Sequence, residues 1–384
     1  ALAAMAARAE IILAANSELS WQQPYVSEFH RVDPADAAAL EELVRKVAPD
    51  GLLTYDETLV EPVALVAAAA GVPYTDVEAV RRCKDKSAMR AALAEGGLSP
   101  VRFAVARTPE EAVRAAGEIG YPVVLKPRAL GGSIGVLRVA DEKELLESFE
   151  VASEANVDGL TSAHPGVLIE EYLDGPEFSV DCATWQGVTT PLVVAEKALA
   201  FPPYFEEFGH IVPAAPQPDL DAAVELVVQA HRVVGLDRLV SHSEVKLTSR
   251  GPRIVEINVR LGGDLIPYLG HLATGVDVAG AAADIAVGQE PDLGTDRERF
   301  AAVAMIYPEY DIRLEEVRLN GDHPGLEQFT TFLPAGTEVR LPPEGFLSRI
   351  AFAVVTADTR EGCQARVEAV RAGVEISGTP LAAR

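Results

Sequence analysis

Apolar and polar positions alternate along residues 240–247 (VSHSEVKL) and again along residues 253–260 (RIVEINVR). A period of two is that of a half-buried strand, and the TSRGP segment at 248–252 between the two runs carries turn chemistry, so the pattern predicts a β-hairpin. Elsewhere, strand-like runs at 10–15 and 50–55 alternate with Ala-rich helical stretches at 34–48 and 62–70. That βαβ order predicts a small parallel-sheet domain. Residues 75–98 read as helical, 121–139 as two strands flanking a glycine-rich turn, and 167–184 as a further strand pair. Helical periodicity returns at 219–235 and 276–287. A last region mixes strands at 301–306 and 350–355 with a helix at 360–371. The fold class expected is α/β (α+β), with closely apposed subdomains. The opening ALAAMAA reads as a helix and leaves open whether a strand belongs in front of it.

The hairpin carries the first chemical signal. Side chains two apart in a strand share a face, so His242, Glu244 and Lys246 lie together, as do Glu256, Asn258 and Arg260. A turn centred near Arg250 sets Glu244 opposite Glu256 and His242 opposite Asn258. Two carboxylates facing each other across a ladder repel. A divalent cation between them removes the repulsion, and oxygen-only ligands suit Mg²⁺ bridged to phosphates. Taken alone, the same pattern also fits a solvated polar face.

Composition narrows the setting. The 384 residues suggest two or three domains. A net charge of −25 disfavours nucleic acid and anionic membranes as partners. Arg outnumbers Lys 26 to 7, so the positions of Lys86, Lys126, Lys197 and Lys246 carry information. Cys83, Cys182 and Cys363 show no metal or redox spacing, which predicts reduced thiols and a cytoplasmic location. The longest apolar run, 63–72, is too short to span a bilayer, and no signal segment is visible.

Residues 123–136 (VVLKPRALGGSIGV) form a strand, a lysine, a glycine-rich loop and a returning strand. Glycine lets backbone N–H groups approach phosphate oxygens where a Cβ would obstruct them. Lys126 within an apolar strand needs an anionic partner. The segment is neither a P-loop nor a dinucleotide fingerprint. Read alone, it also fits a flexible turn.

Residues 169–180 (IEEYLDGPEFSV), about forty positions on, resemble the adenine and ribose segment of the ATP-grasp superfamily. With Asp85 and Lys86 upstream, and Glu244, Glu256 and Asn258 downstream, the motifs follow that superfamily's order from about residue 75 to 290. Within it, KDKSAMR (84–90), LKP with SIGV (125–136), FEEFGHIVP (205–213) and HSEVKL (242–247) resemble the L-amino-acid (dipeptide-forming) ligases. The loop after Arg260 (GGDLIP, 262–267) departs by lacking the bulky aromatic that some of those ligases carry.

The resemblance implies an ATP-grasp fold with an N-terminal pre-ATP-grasp domain (1–78), a nucleotide-binding lid and linker (79–185), a catalytic subdomain with the metal site (186–297) and a C-terminal α+β subdomain (298–384). It implies ATP and Mg²⁺ (or Mn²⁺) as cofactors, with Lys86 and Lys126 on the α- and β-phosphates and Gly131, Gly132 and Ser133 as a lid. Glu170 and the Leu173 backbone are expected on adenine, Glu177 on ribose, and Glu244, Glu256 and Asn258 on the metal. Arg260 is expected to stabilise the developing oxyanion, and Glu207 and His210 to bind a substrate amine and take its proton. Lys197 is read either as a phosphate contact or as an ion-pair partner. His210 also fits a loop cap, His242 an orienting role, Lys246 a carboxylate pair, and Asp264 a structural role or one near the amine.

The expected reaction joins a small carboxylate and an amine, amino acids or small peptides, through an acyl phosphate with release of ADP, in a homodimer of biosynthetic role. The alternatives are a ligase for a non-amino-acid carboxylate, a biotin- or purine-type carboxylase, and a nucleotide-binding regulator without turnover. Retention of both metal carboxylates speaks against the last.

Overall fold

The computed structural model describes residues 1–155 and 165–382. The hairpin forms as the alternation predicts. Strands Leu239–Thr248 and Gly251–Asn258 pair antiparallel, with His242 opposite Asn258 and Glu244 opposite Glu256. A bulge after Glu244 shifts the register. These strands form one end of an eight-stranded antiparallel sheet. Beyond them the order runs Glu177–Trp185, Val188–Ala200, Glu206–Val212, Phe300–Ile306, Ala351–Ala357 and Leu326–Thr331. The C-terminal strands thus continue the sheet that bears the hairpin.

The hairpin face bearing Val245, Ile254 and Ile257 is covered by helix Leu220–Val234, whose Val227, Ala230 and Val234 pack against it and against Phe178. Two serines interrupt this face, and buried His231 satisfies them: its Nε2 lies 2.9 Å from Ser243 Oγ and 3.4 Å from Ser241 Oγ. Burial pushes the His231 pKa from 6.5 down to about 4, so the ring is neutral in the fold. The unfolded chain binds the extra proton between those values, and stability therefore falls as pH drops through that window, by at most ~3 kcal/mol. His231→Gln is expected to flatten this part of the acid limb. Urea midpoints near pH 7 and near pH 4.5 read it, and an unchanged difference between them contradicts the assignment.

A second, four-stranded antiparallel sheet runs Phe103–Ala106, Val167–Glu171, Val123–Pro127, Leu137–Val139. The strand pair read at 167–184 is therefore a correction: Val167–Glu171 and Glu177–Trp185 belong to different sheets. The chain crosses between them at Tyr172–Pro176, where Gly175 has φ +81° and a Cβ would fall 2.0 Å from the Leu247 carbonyl oxygen. Only glycine tolerates that approach.

The N-terminal parallel pairing is present as strands Ile12–Ala15 and Glu28–Arg31, packed near helices Ala37–Val47 and Val60–Ala70. The strand expected at 50–55 does not form. Gly51 abuts the Ala286 carbonyl, and Asp56 N donates to Thr54 Oγ1, a local bond that competes with ladder pairing. The helix read at 75–98 is two helices, Val77–Lys84 and Lys86–Glu95, broken at Asp85. Asp85 caps the second by accepting from Ser87 N, which sets Lys86 in its first turn. A three-stranded antiparallel sheet, Glu338–Val339, Ile312–Leu319 and Val374–Pro380, completes the C-terminal region. Among the described residues, no helix is long and apolar enough to cross a membrane.

Candidate functional site

A cleft of about 700 Å³ opens where the two larger sheets face each other. Its lining includes Lys86, Lys126, Gly132, Ser133, Glu170, Leu173, Glu177, Glu207, Glu244, Lys246 and Glu256. The hairpin supplies the even-numbered side chains, the four-stranded sheet supplies Lys126 and Glu170, and helix Lys86–Glu95 aims Lys86 in from its first turn.

The facing carboxylates are held by lysines. Lys86 Nζ lies 2.9 Å from Glu256 and donates to the Leu130 carbonyl at 2.7 Å. Lys197, its side chain 2% exposed, lies 2.6 Å from Glu244, 2.8 Å from Glu177 and 2.8 Å from Glu207. Burial disfavours its charge, but the three carboxylates raise its pKa well above the ordinary lysine value. Lys197 is thus a buried hub between three strands and not a surface ion-pair partner. Burial likewise pushes the Glu256 carboxyl up, and the charge of Lys86 overcomes this, holding it well below the usual range. Burial also raises the Glu244 carboxyl, but Lys197 outweighs it and lowers its pKa, so both carboxylates are anionic at neutral pH. Asn258 Nδ2 donates to Glu256 at 2.9 Å. Two carboxylates and an amide oxygen on one face, with buried lysines as counter-charges, make an oxygen donor set suited to Mg²⁺ or Mn²⁺.

The cationic side chains deeper in the cleft are anchored by Glu170. Its carboxylate lies 2.5 Å from Lys126 Nζ and 2.6 Å from Arg90 Nε. Burial raises this carboxyl, but Arg90 and Lys126 outweigh it and hold the pKa at about 2. Arg90 also donates to the carbonyls of Ile254 and Val255, tying the helix to the hairpin. The expectation that Glu170 reads adenine meets a difference here, since its oxygens are engaged by Arg90 and Lys126. The main chain at Leu173 remains beside the cleft, its carbonyl accepting from Lys246 Nζ at 3.3 Å. Lys246 also sits over the rings of Tyr172 and Phe205, at 5.6 and 5.7 Å.

The glycine loop roofs the site with left-handed backbone at Gly132 (φ +66°) and Ser133 (φ +56°). Arg260, beyond the end of the strand, approaches Gly131 of this loop and has Nε 2.7 Å from Glu57, but it is not among the residues lining the cleft. His242 Nδ1 donates to Asp181 at 2.6 Å. Burial lowers the His242 pKa, but Asp181 reverses this and lifts it to about 10, so the ring is a cation beside Glu244. That favours the orienting reading of His242.

A second polar group adjoins the cleft through Glu207. His210 Nε2 lies 3.0 Å from Asp264, and Arg349 bonds both Asp264 and Glu207, the latter at 2.9 Å. Ligand atoms of Glu207, His210 and Asp264 lie within 4.8 Å of one another, but Arg349 and Lys197 already neutralise this cluster. Sequence reasoning did not single out Arg90, Asp181, Glu57 or Arg349 as site residues. Arg90 closes a motif already noted, and a buried cation there requires an anion. Asp181 is a carboxylate amid apolar strand residues. Glu57 and Arg349 have no local signal, because their partners are remote in the chain.

Residues 119–268 match the ATP-grasp domain family. The chain is 27% identical to the uncharacterized protein y4rH of Sinorhizobium fredii, over 97% of this chain and 78% of that one. It is 28% identical to the alanine–anticapsin ligase of Bacillus subtilis over 68% of this chain, spanning 60% of that relative's length. Its structure resembles the L-amino acid ligase of Bacillus licheniformis with a TM-score of 0.80 at 22% identity, covering 97% of this chain and 93% of the other.

Proposed function

With residues 119–268 an ATP-grasp domain and the chain as a whole in the ATP-grasp fold, we propose that this protein is an ATP-dependent carboxylate–amine ligase joining amino acids or small peptides. The observation that carries the reading is the pair Glu244 and Glu256, opposed across the hairpin, each held by a buried lysine, in a cleft roofed by a glycine loop. The similarity to the alanine–anticapsin ligase supports amino acids as the substrate class.

In this reading a substrate carboxylate oxygen attacks the γ-phosphorus of ATP, and ADP leaves. The amine then attacks the acyl carbon, and the tetrahedral intermediate expels phosphate to leave an amide. Lys86 and Lys126 bind the α- and β-phosphates, and the backbone of Gly131, Gly132 and Ser133 covers them and excludes water, which protects the acyl phosphate from hydrolysis. Glu177 takes the ribose hydroxyls and the main chain near Leu173 takes adenine. Glu244, Glu256 and Asn258 hold the divalent ion, which when bound supplies charge neutralisation at the phosphates. Lys197 keeps Glu177, Glu207 and Glu244 in register. Arg260 stabilises the charge developing on the acyl oxygen, and Glu207 with His210 receives a substrate ammonium and its proton. The same reading assigns 1–78 to the pre-ATP-grasp domain, 79–185 to the lid and linker, 186–297 to catalysis and 298–384 to the C-terminal subdomain.

The test is ATP-dependent phosphate release against amino acids singly and in pairs, with hydroxylamine present to trap acyl phosphates. Hydroxamate from one amino acid, and peptide when a second is added, is the expected result. Release that requires bicarbonate or another organic acid instead would replace the dipeptide reading with the carboxylase or non-amino-acid one.

A further inference from the structure

We propose that Arg349, supplied by the C-terminal region, is a positioning residue of the substrate-ammonium site: it holds Glu207 and Asp264 together and so aims Glu207 and His210 at the substrate. The inference rests on the ligase reading above.

Arg349 precedes strand Ala351–Ala357 and lies far in sequence from every other site residue. Its guanidinium bonds Asp264 through Nη1 and Glu207 through Nη2, at 2.9 Å for the latter, and Nε donates to Tyr307 Oη at 3.1 Å. Tyr307 Oη in turn lies 3.0 Å from Glu206 and 2.8 Å from the Glu207 carbonyl. A planar fork that meets two carboxylates and a phenol is fixed in direction as well as charge. Glu207 and Asp264 repel without it, and they would part.

Two further observations point the same way. Asp264 and the following Leu265 both have left-handed backbone, φ +50° and +64°, a conformation that costs energy in non-glycine residues and persists where the surroundings enforce it. Arg349 and His210 grip the Asp264 side chain from two sides. Two residues before Arg349, Leu347 has φ +53°, its N–H donates to Glu206 at 3.1 Å, and its side chain approaches Gly132 of the glycine loop. One short C-terminal segment therefore touches both the roof of the nucleotide cleft and the acidic pair. Lys197 balances Glu177 and Glu244 as well as Glu207, so Arg349 is the cation dedicated to Glu207 and Asp264.

The experiment is steady-state kinetics of Arg349→Ala, varying ATP and amino acid separately, with and without added guanidinium chloride at sub-denaturing concentration. The expected result is a KM for the amino acid raised on the order of 10- to 100-fold, as for a small misplacement of a binding group. The KM for ATP should stay near the wild-type value, and guanidinium should restore part of the loss. An unchanged KM for the amino acid, or a loss shared equally by ATP and insensitive to guanidinium, overturns the assignment. Should Arg349→Ala fail to fold, Asp264→Asn serves, with the same selective rise in KM expected and an unchanged value contradicting it. Wild-type protein that releases no phosphate with any amino acid overturns the ligase reading itself, which separates that failure from failure of the Arg349 role.

Discussion

Glu256→Gln is expected to lower ATP-dependent phosphate release by on the order of 10³-fold, the scale of losing a fixed charge-stabilising group in a buried site. The substitution keeps the size of the side chain and an oxygen to accept from Asn258 Nδ2, so the hairpin has no steric reason to change. What it removes is the anion. Glu256 lies opposite Glu244, and burial would neutralise it were Lys86 not beside it. Glutamine in its place leaves a monopositive site around Lys86 and one carboxylate for the metal instead of two. Chemical denaturation of the variant separates this outcome from unfolding. Unchanged phosphate release from a folded variant sinks the metal assignment.

Arg90→Met should produce the largest loss of stability, about 3–5 kcal/mol, because removing one member of a buried ionic cluster strands the others. Arg90 is 2% exposed. Its guanidinium meets Glu170 through two nitrogens and caps the carbonyls of Ile254 and Val255. Methionine restores volume but takes the guanidinium donor from the buried Ile254 carbonyl and the part-buried Val255 carbonyl. Lys126→Met, on the same carboxylate, is expected to behave differently: Arg90 still neutralises Glu170, so stability falls less and the defect appears in ATP affinity. Urea denaturation and ATP titration of the two variants distinguish these outcomes, and equal destabilisation by both contradicts the division of roles. The pH dependence follows from Glu170. Its folded pKa of about 2 lies below the ordinary 4.5, so its contribution is complete above pH ~4.5 and is lost as pH falls toward ~2.

Much of the site was legible because its register is local. Alternation and turn chemistry bring the two hairpin arms together, but the observed turn at 249–250 alone would set Glu244 opposite Val255, and the bulge at Val255 is what brings Glu244 to Glu256. Lys126 stood out as a charge in an apolar strand, and Lys86 as one of few lysines. Sheet membership was less legible. Residues 167–171 and 177–185 both alternate and neighbour each other in sequence, yet the Gly175 crossing sends them to different sheets, and nothing in a local pattern records which partner a strand will find. The run at 50–55 has strand composition without a partner. Lys197 was ambiguous because its three carboxylates come from separate strands. Arg349 and Glu57 were invisible for the same reason: a long-range ion pair has no periodicity.

The central claim is that a substrate carboxylate is phosphorylated before the amine attacks. The direct measurement uses an amino acid labelled with ¹⁸O in its carboxylate, with ATP and an acceptor amine, and mass analysis of the phosphate released. An acyl-phosphate route transfers one carboxylate oxygen to each phosphate, so labelled phosphate appearing in step with amide is the predicted result. Unlabelled phosphate, or label found in AMP, would contradict the account.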